Sequence, residues 1–290
     1  MKIKHIITAG CSFGDAYTPW TWPHHLEAHT KSIDPNVTFD HRGMGHQGQE
    51  LIQKKVTHAI MEALDSGLKP EEMGVTVSWS GNDRKTWYIT NKDYINEIKK
   101  YWNESGGSMW HVQFCDLKNS KENVEIIHYD DDYGQYNVQY NPNGGWYHSA
   151  WQHREPKFIN DYVMLTEPVT DRNYDKYNIN SLHVALENML MLQNLCKLHG
   201  IPFYQQYYMK HTYADIEQNK DHEIINYLYK QLDTPNLVKP AIHEYVKPFG
   251  LTMSEIDVHP NAEGQEKYFN DILKPFLETK ALTSLLIFTG

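Results

Sequence analysis

Four short stretches carry residue types whose chemistry goes beyond packing. The first is Gly10-Cys-Ser12-Phe-Gly14-Asp15. A serine between glycines has an exposed hydroxyl and little bulk around it, which suits a nucleophile. The same residues also make an ordinary turn. The second is Gly43-Met-Gly45-His-Gln-Gly48. Backbone N–H groups at a helix start are unpaired and point outward, so this turn could hold an oxyanion or simply join a strand to a helix. The third is Ser78-Trp-Ser80-Gly81-Asn82-Asp83-Arg84. The Asn82 amide could donate to developing negative charge, or cap local backbone. The fourth is Asp257-Val-His259-Pro260-Asn261. A histidine with a nearby carboxylate is the general-base half of a triad. In a chain with 17 histidines that pairing alone is unspecific.

The elements that must position these stretches follow from periodicity. Ile3, Ile6 and Ile7 lead into Thr8-Ala9-Gly10, a short apolar run that ends in a glycine turn and reads as a strand. Residues 37–39 read as a second strand. Leu51, Ile52, Val56, Ile60, Ala63 and Leu64 repeat at helical spacing until Gly67 stops them. Residues 74–79 are β-branched and alternate, as a buried strand does. Strands alternating with a helix predict an α/β fold with a parallel sheet. In such sheets the functional loops lie at the carboxyl ends of the strands, which is where the four stretches fall.

The middle reads differently. Residues 105–151 are rich in Gly, Asn, Asp and Tyr, with alternating pieces at 110–114, 124–128, 136–140 and 146–151. They predict hairpins or an irregular lid, inserted at about 105–175 into one domain spanning 1–290. The Asp130-Asp131-Asp132 run reads as a solvated turn rather than a metal site. Regular α/β patterning resumes near residue 178. It predicts a long helix ending at His199-Gly200, a strand over 201–208, a helix over 216–232 and a last helix over 262–277. Pro275 is expected to kink that helix or end it early.

Taken together and in this order, the four stretches resemble the SGNH hydrolases, also called GDSL esterases. The resemblance covers about residues 3–90 and 250–280. It implies a three-layer α/β/α fold of flavodoxin-like type, and hydrolysis of carboxylic esters, often acetyl groups on carbohydrates, without a metal or other cofactor. By this resemblance Ser12 is the nucleophile and its N–H one oxyanion donor. Gly45, or alternatively Gly48, supplies a second donor, and the Asn82 amide a third. His259 is the general base. Three departures stand out. Cys11 occupies the usual Asp position before the nucleophile, and Ser80 the usual glycine position before the asparagine. Ile256 stands where the triad acid belongs, three residues before the histidine. Asp257, two residues before, is the expected acid, because residues two apart in an extended segment face one side. Glu255 and a Ser-His dyad are the alternatives.

Composition limits the partners. The net charge is -10, which repels phosphate backbones and argues against nucleic acid. No run approaches the ~20 apolar residues of a membrane span. Three cysteines are too few for a disulfide framework. With no signal-peptide core at the start, these features point to a cytoplasmic protein, and motifs of this style leave a phage-encoded or virion-associated origin open. Aromatics reach 13%. Trp110, Trp146 and Trp151 are expected to line a substrate surface for a small-molecule or carbohydrate ester, or to bind glycan in a non-catalytic module of the same fold. A metal-dependent phosphoesterase built on Asp15, Asn82, Asp83 and His259 is a weaker reading. It lacks an Asp-x-His pair after the first strand, and no third ligand is evident near His24, His25 and His29.

Overall fold

The computed structural model describes residues 2–45, 47–82, 84–89, 112–115, 117–118, 125–127, 146–151, 174–254 and 257–280. The chain opens with β1 (His5–Ala9), α1 (Trp22–Ile33), β2 (Thr38–His41), α2 (Gln49–Asp65) and β3 (Met73–Trp79). The periodic apolar residues of α2 are its buried face, and Gly67 ends that region at φ +92°. Every residue of β3 is buried, as expected for a strand covered on both faces. Pro23 sits in the first turn of α1, where a missing N–H costs nothing.

Next come β4 (Arg84–Ile89), β5 (Val112–Cys115), β6 (Glu125–Ile127) and β7 (Trp146–Trp151). They form an antiparallel sheet in the order β4-β7-β5-β6. This β-rich region therefore begins at Arg84, upstream of the expected boundary near 105, because β4 is the pairing partner of β7. It is fastened to the α/β body by Arg42 Nη1, which donates to the Leu117 carbonyl at 2.6 Å, and by a Lys118–Glu62 ion pair. The expected pieces at 136–140 and the Asp130–Asp132 run lie outside the described residues.

The chain continues with α3 (Tyr174–His199), β8 (Phe203–Tyr207), α4 (Lys210–Gln218), α5 (Glu223–Tyr229), β9 (Leu237–Val238) and α6 (Ile242–Val246). The expected 216–232 helix is two helices. Asn219 ends the first, with its backbone and side-chain N–H groups both on the Asp215 carbonyl. β9 and α6 are too short to leave a periodic signature. The last helix has three parts: α7 (Ala262–Tyr268), a π turn (Phe269–Leu273) and α8 (Lys274–Thr279). Pro275 has no N–H to give to the turn before it, and the helix widens there, Lys274 donating five residues back to Phe269.

The main sheet is β2-β1-β3-β8-β9, parallel at every pairing. Two buried clusters flank it. Ile7, Ala9 and Val75 pack with Ile52, Val56, Leu186 and Ile225 on one face. Ile6 packs with Trp22, Leu26, Ile242, Tyr268 and Leu273 on the other. The successive β1 residues Ile6 and Ile7 thus serve opposite helix layers. The architecture is α/β and compatible with three α/β/α layers. Among the described residues, no helix is long and apolar enough to cross a membrane.

Candidate active site

β1 and β3 are neighbours whose carboxyl ends release the Ser12 and Asn82 loops side by side. The chain leaves β1 toward β2 on one flank and returns to β3 on the other. Such reversals open a crevice at the strand ends, where α/β proteins bind ligands. Ser12 begins a single 3₁₀ turn, Ser12–Gly14, closed by Gly14 N–H to the Cys11 carbonyl at 2.9 Å. Cys11 itself is fully buried and packs in the core.

His259 comes from the far end of the sequence. Ser12 Oγ lies 2.6 Å from His259 Nε2. On the other side of the ring, His259 Nδ1 lies 2.5 Å from Asp257 Oδ1. The loop carrying both is tight. Met253 N–H donates to the His259 carbonyl at 2.7 Å, and Asp257 N–H donates to Ser254 Oγ at 2.9 Å. Asp257 Oδ1 also accepts the His259 backbone N–H at 3.1 Å, which makes an Asx turn. The carboxylate therefore reaches the imidazole through this turn rather than along an extended strand. Glu255 and Ile256 lie outside the described residues.

Burial would raise the Asp257 carboxyl, but its hydrogen bonds from His259 outweigh that and hold it below its ordinary value. An ionised carboxylate only accepts, so His259 Nδ1 carries the proton. Nε2 is then the acceptor for the Ser12 hydroxyl, which is the tautomer a general base needs. The Phe13 ring lies 4.9 Å from the imidazole, centre to centre, and limits its tilt. The pair is open to solvent, with the His259 and Asp257 side chains 41% and 49% exposed.

Three glutamines that sequence reasoning passed over tie the four stretches together. Gln47 Nε2 donates to the Gly10 carbonyl at 2.9 Å and joins the second stretch to the first. Gln49 donates to the Ser80 carbonyl at 2.6 Å and accepts the Ser80 N–H at 3.0 Å, joining the second to the third. Gln265, on α7, donates to the Phe13 carbonyl at 2.9 Å and accepts the Trp22 N–H at 3.1 Å. It joins the histidine's helix to the serine's turn and to the start of α1. All three are buried. Nothing in a single sequence distinguishes such a glutamine from a surface one. A related constraint falls on Gly43, where a Cβ would overlap the Gly14 carbonyl oxygen, so only glycine lets the first two stretches approach.

The remaining expected donors are placed as follows. Gly45 N–H donates to the Asp15 carboxylate, which also accepts the Tyr17 N–H at 2.8 Å. Burial pushes the Asp15 carboxyl above its ordinary range despite these bonds. Gly48 is the N-cap of α2. Asn82 is buried, its amide within 3.3 Å of Asp215 Oδ2 and 3.4 Å of Gln49 Nε2. Trp110 and Asp83 lie outside the described residues. Trp146 and Trp151 are the two ends of β7, paired with Ile89 and Arg84 of β4.

The chain matches no protein-family model, no curated protein and no solved structure. Its function is accordingly read from the site's own chemistry.

Proposed function

We propose that this protein is a serine hydrolase of carboxylic esters, of the SGNH type with a flavodoxin-like fold. The observation that carries the reading is the continuous Ser12–His259–Asp257 chain of hydrogen bonds, in which Ser12 and His259 lie 247 residues apart in sequence. The strand order β2-β1-β3-β8-β9 supports the flavodoxin-like assignment, because renumbered within the sheet it is 2-1-3-4-5.

In the proposed reaction, His259 Nε2 takes the Ser12 proton as Ser12 Oγ attacks the ester carbonyl. Asp257 steadies the imidazolium that results. The oxyanion would be held by the Ser12 N–H, the N–H of Gly45 or Gly48 and one hydrogen of the Asn82 amide, each contributing about 3 kcal/mol. In this structure the Gly45 N–H donates to Asp15. His259 then protonates the leaving alcohol. Water, deprotonated by the same imidazole, attacks the acyl-enzyme and releases the acid. The resemblance makes acetyl esters of carbohydrates the expected substrates.

The test is hydrolysis of an aryl acetate, together with labelling by a serine-directed organophosphonate. Wild-type protein should turn over the ester and be labelled at Ser12, and Ser12→Ala should do neither. Unchanged hydrolysis by folded Ser12→Ala would overturn the nucleophile. Folded wild-type protein that neither hydrolyses nor labels would instead indicate a binding module.

A further inference from the structure

A second cluster of reactive side chains lies where α1 meets the end of β2. His24 and Glu27, three apart on α1, share a helix face. His41, the last residue of β2, faces them. One donor atom from each of the three lies within 4.8 Å of the other two. His41 Nε2 and Glu27 Oε2 are 2.8 Å apart, and the two imidazole rings are 5.0 Å apart, centre to centre.

We propose that His24, Glu27 and His41 form a zinc-binding site. The proximity of the three donor atoms and the outer partner of His24 argue for it. His24 Nε2 lies 3.1 Å from the Ala16 carbonyl. A carbonyl only accepts, so Nε2 carries the hydrogen and Nδ1 keeps the lone pair that a metal needs. His41 Nε2 donates to the Glu27 carboxylate, which only accepts, and its Nδ1 accepts from the hydroxyl of Thr8, a fully buried residue, at 2.7 Å. Metal-binding histidines characteristically donate their second nitrogen to a carbonyl or similar partner, which fixes ring and tautomer. His24 has that partner here, and because a hydroxyl both donates and accepts, Thr8 can take the Nδ1 hydrogen of His41 once Nε2 turns to a metal.

The donor set fits the ion. Two imidazoles and one carboxylate suit zinc, while calcium and magnesium prefer oxygen alone. The Glu27 carboxylate holds both Lys31 and His41. Lys31 Nζ contacts Oε1, the carboxylate oxygen turned away from His41. Tetrahedral zinc would separate its ligand atoms by about 3.4 Å, so Glu27 and His41 would part slightly and His24 would turn inward. The neighbours His25 and His29 are committed elsewhere, His25 stacking on Phe269 and His29 beside Glu278. Zinc here would clamp α1 to β2 and to Ala16, four residues beyond Ser12. It would brace the nucleophile's loop and take no part in the ester chemistry proposed above.

The test uses the full chain, freed of metal by EDTA and then dialysed. Calorimetric titration with zinc should show one site per chain, and cobalt should give the absorption bands of a low-coordinate nitrogen-oxygen site. Saturating zinc should raise the thermal midpoint. His24→Asn and His41→Ala should weaken binding by about 100-fold or more, and Thr8→Val by roughly 10- to 100-fold through His41. His25→Ala, His29→Ala and Ser12→Ala should bind as wild type. If His41→Ala does not fold, His24→Asn and Thr8→Val, with the fold checked by circular dichroism, carry the comparison. Absence of one-to-one zinc binding by the wild type, or equal affinity in folded His24→Asn, would overturn the site. Because Ser12→Ala should keep the zinc and lose ester hydrolysis, the two proposals fail separately.

Discussion

Asp257 shows how a single side chain determines what its neighbour can do. Its carboxylate stands at the Nδ1 edge of His259 and so directs the basic nitrogen toward Ser12. Replacing it with asparagine keeps the size but allows the amide NH₂ to face Nδ1, which then holds the lone pair and leaves Nε2 protonated. If the proposed mechanism holds, Asp257→Asn should lower kcat by about 10³- to 10⁴-fold with little change in KM. Steady-state kinetics on an aryl acetate would check this. A change below tenfold would favour a Ser-His dyad. Asp257 has little depth of burial, so nearby water competes for its charge and a smaller loss than in a dry triad is the direction to expect.

Among the elements, the joints between loops matter more than the loops. Gln265 connects α7 to the turn after β1 and to the first residue of α1. Gln265→Ala would leave the Phe13 carbonyl and the Trp22 N–H unpaired in a buried place. At roughly 1–3 kcal/mol for each of the two groups, the expected loss is about 2–6 kcal/mol, measured by urea unfolding. Ester hydrolysis should fall as well, because the joint holds Ser12 relative to His259. Gly43→Ala should cost about 3 kcal/mol, since its Cβ meets backbone that cannot move aside cheaply. Gly67→Ala is the control. It meets no atom within 4 Å and suffers only its left-handed backbone, about 1–2 kcal/mol.

For the whole molecule, the arrangement of titratable groups predicts how the fold responds to acid. Burial holds His5, His25, His29 and His41 below their ordinary value of 6.5. The unfolded chain therefore binds more protons than the native one as pH falls through 6.5, and stability is lost from there downward. Glu62 adds a second phase. Burial would raise it, but Lys118 and Arg42 dominate and set it below its ordinary 4.5. Asp34 and Glu72 are likewise lowered, by Lys2 and Lys4. Their contribution is present above the ordinary carboxylate values and disappears as pH falls through the lowered ones. Asp15, raised by burial, acts in the opposite sense and loses stability as pH rises through its ordinary range. Thermal melts of zinc-free protein should thus show a midpoint that falls below about pH 6.5 and again below about pH 4.5. A midpoint constant between pH 7 and 5 would contradict the histidine phase.

Much of the fold was legible in the sequence because local pattern sets local structure. The apolar run of β1, the helical spacing in α2 and the β-branched β3 each declare their element within a few residues, and a parallel sheet follows from their order. The residues of the candidate triad were legible too, since a serine after the first strand and an Asp-x-His before the last helix are local signals. What the sequence could not show were the partnerships across it. The β4–β7 pairing, the three buried glutamines, the Gly45–Asp15 bond and the approach of His41 to His24 and Glu27 join segments whose separation along the chain carries no pattern. Such contacts exist only once helix layers close on both faces of the sheet. Burial then turns ordinary polar side chains into obligatory partners, because a buried donor or acceptor must be paired.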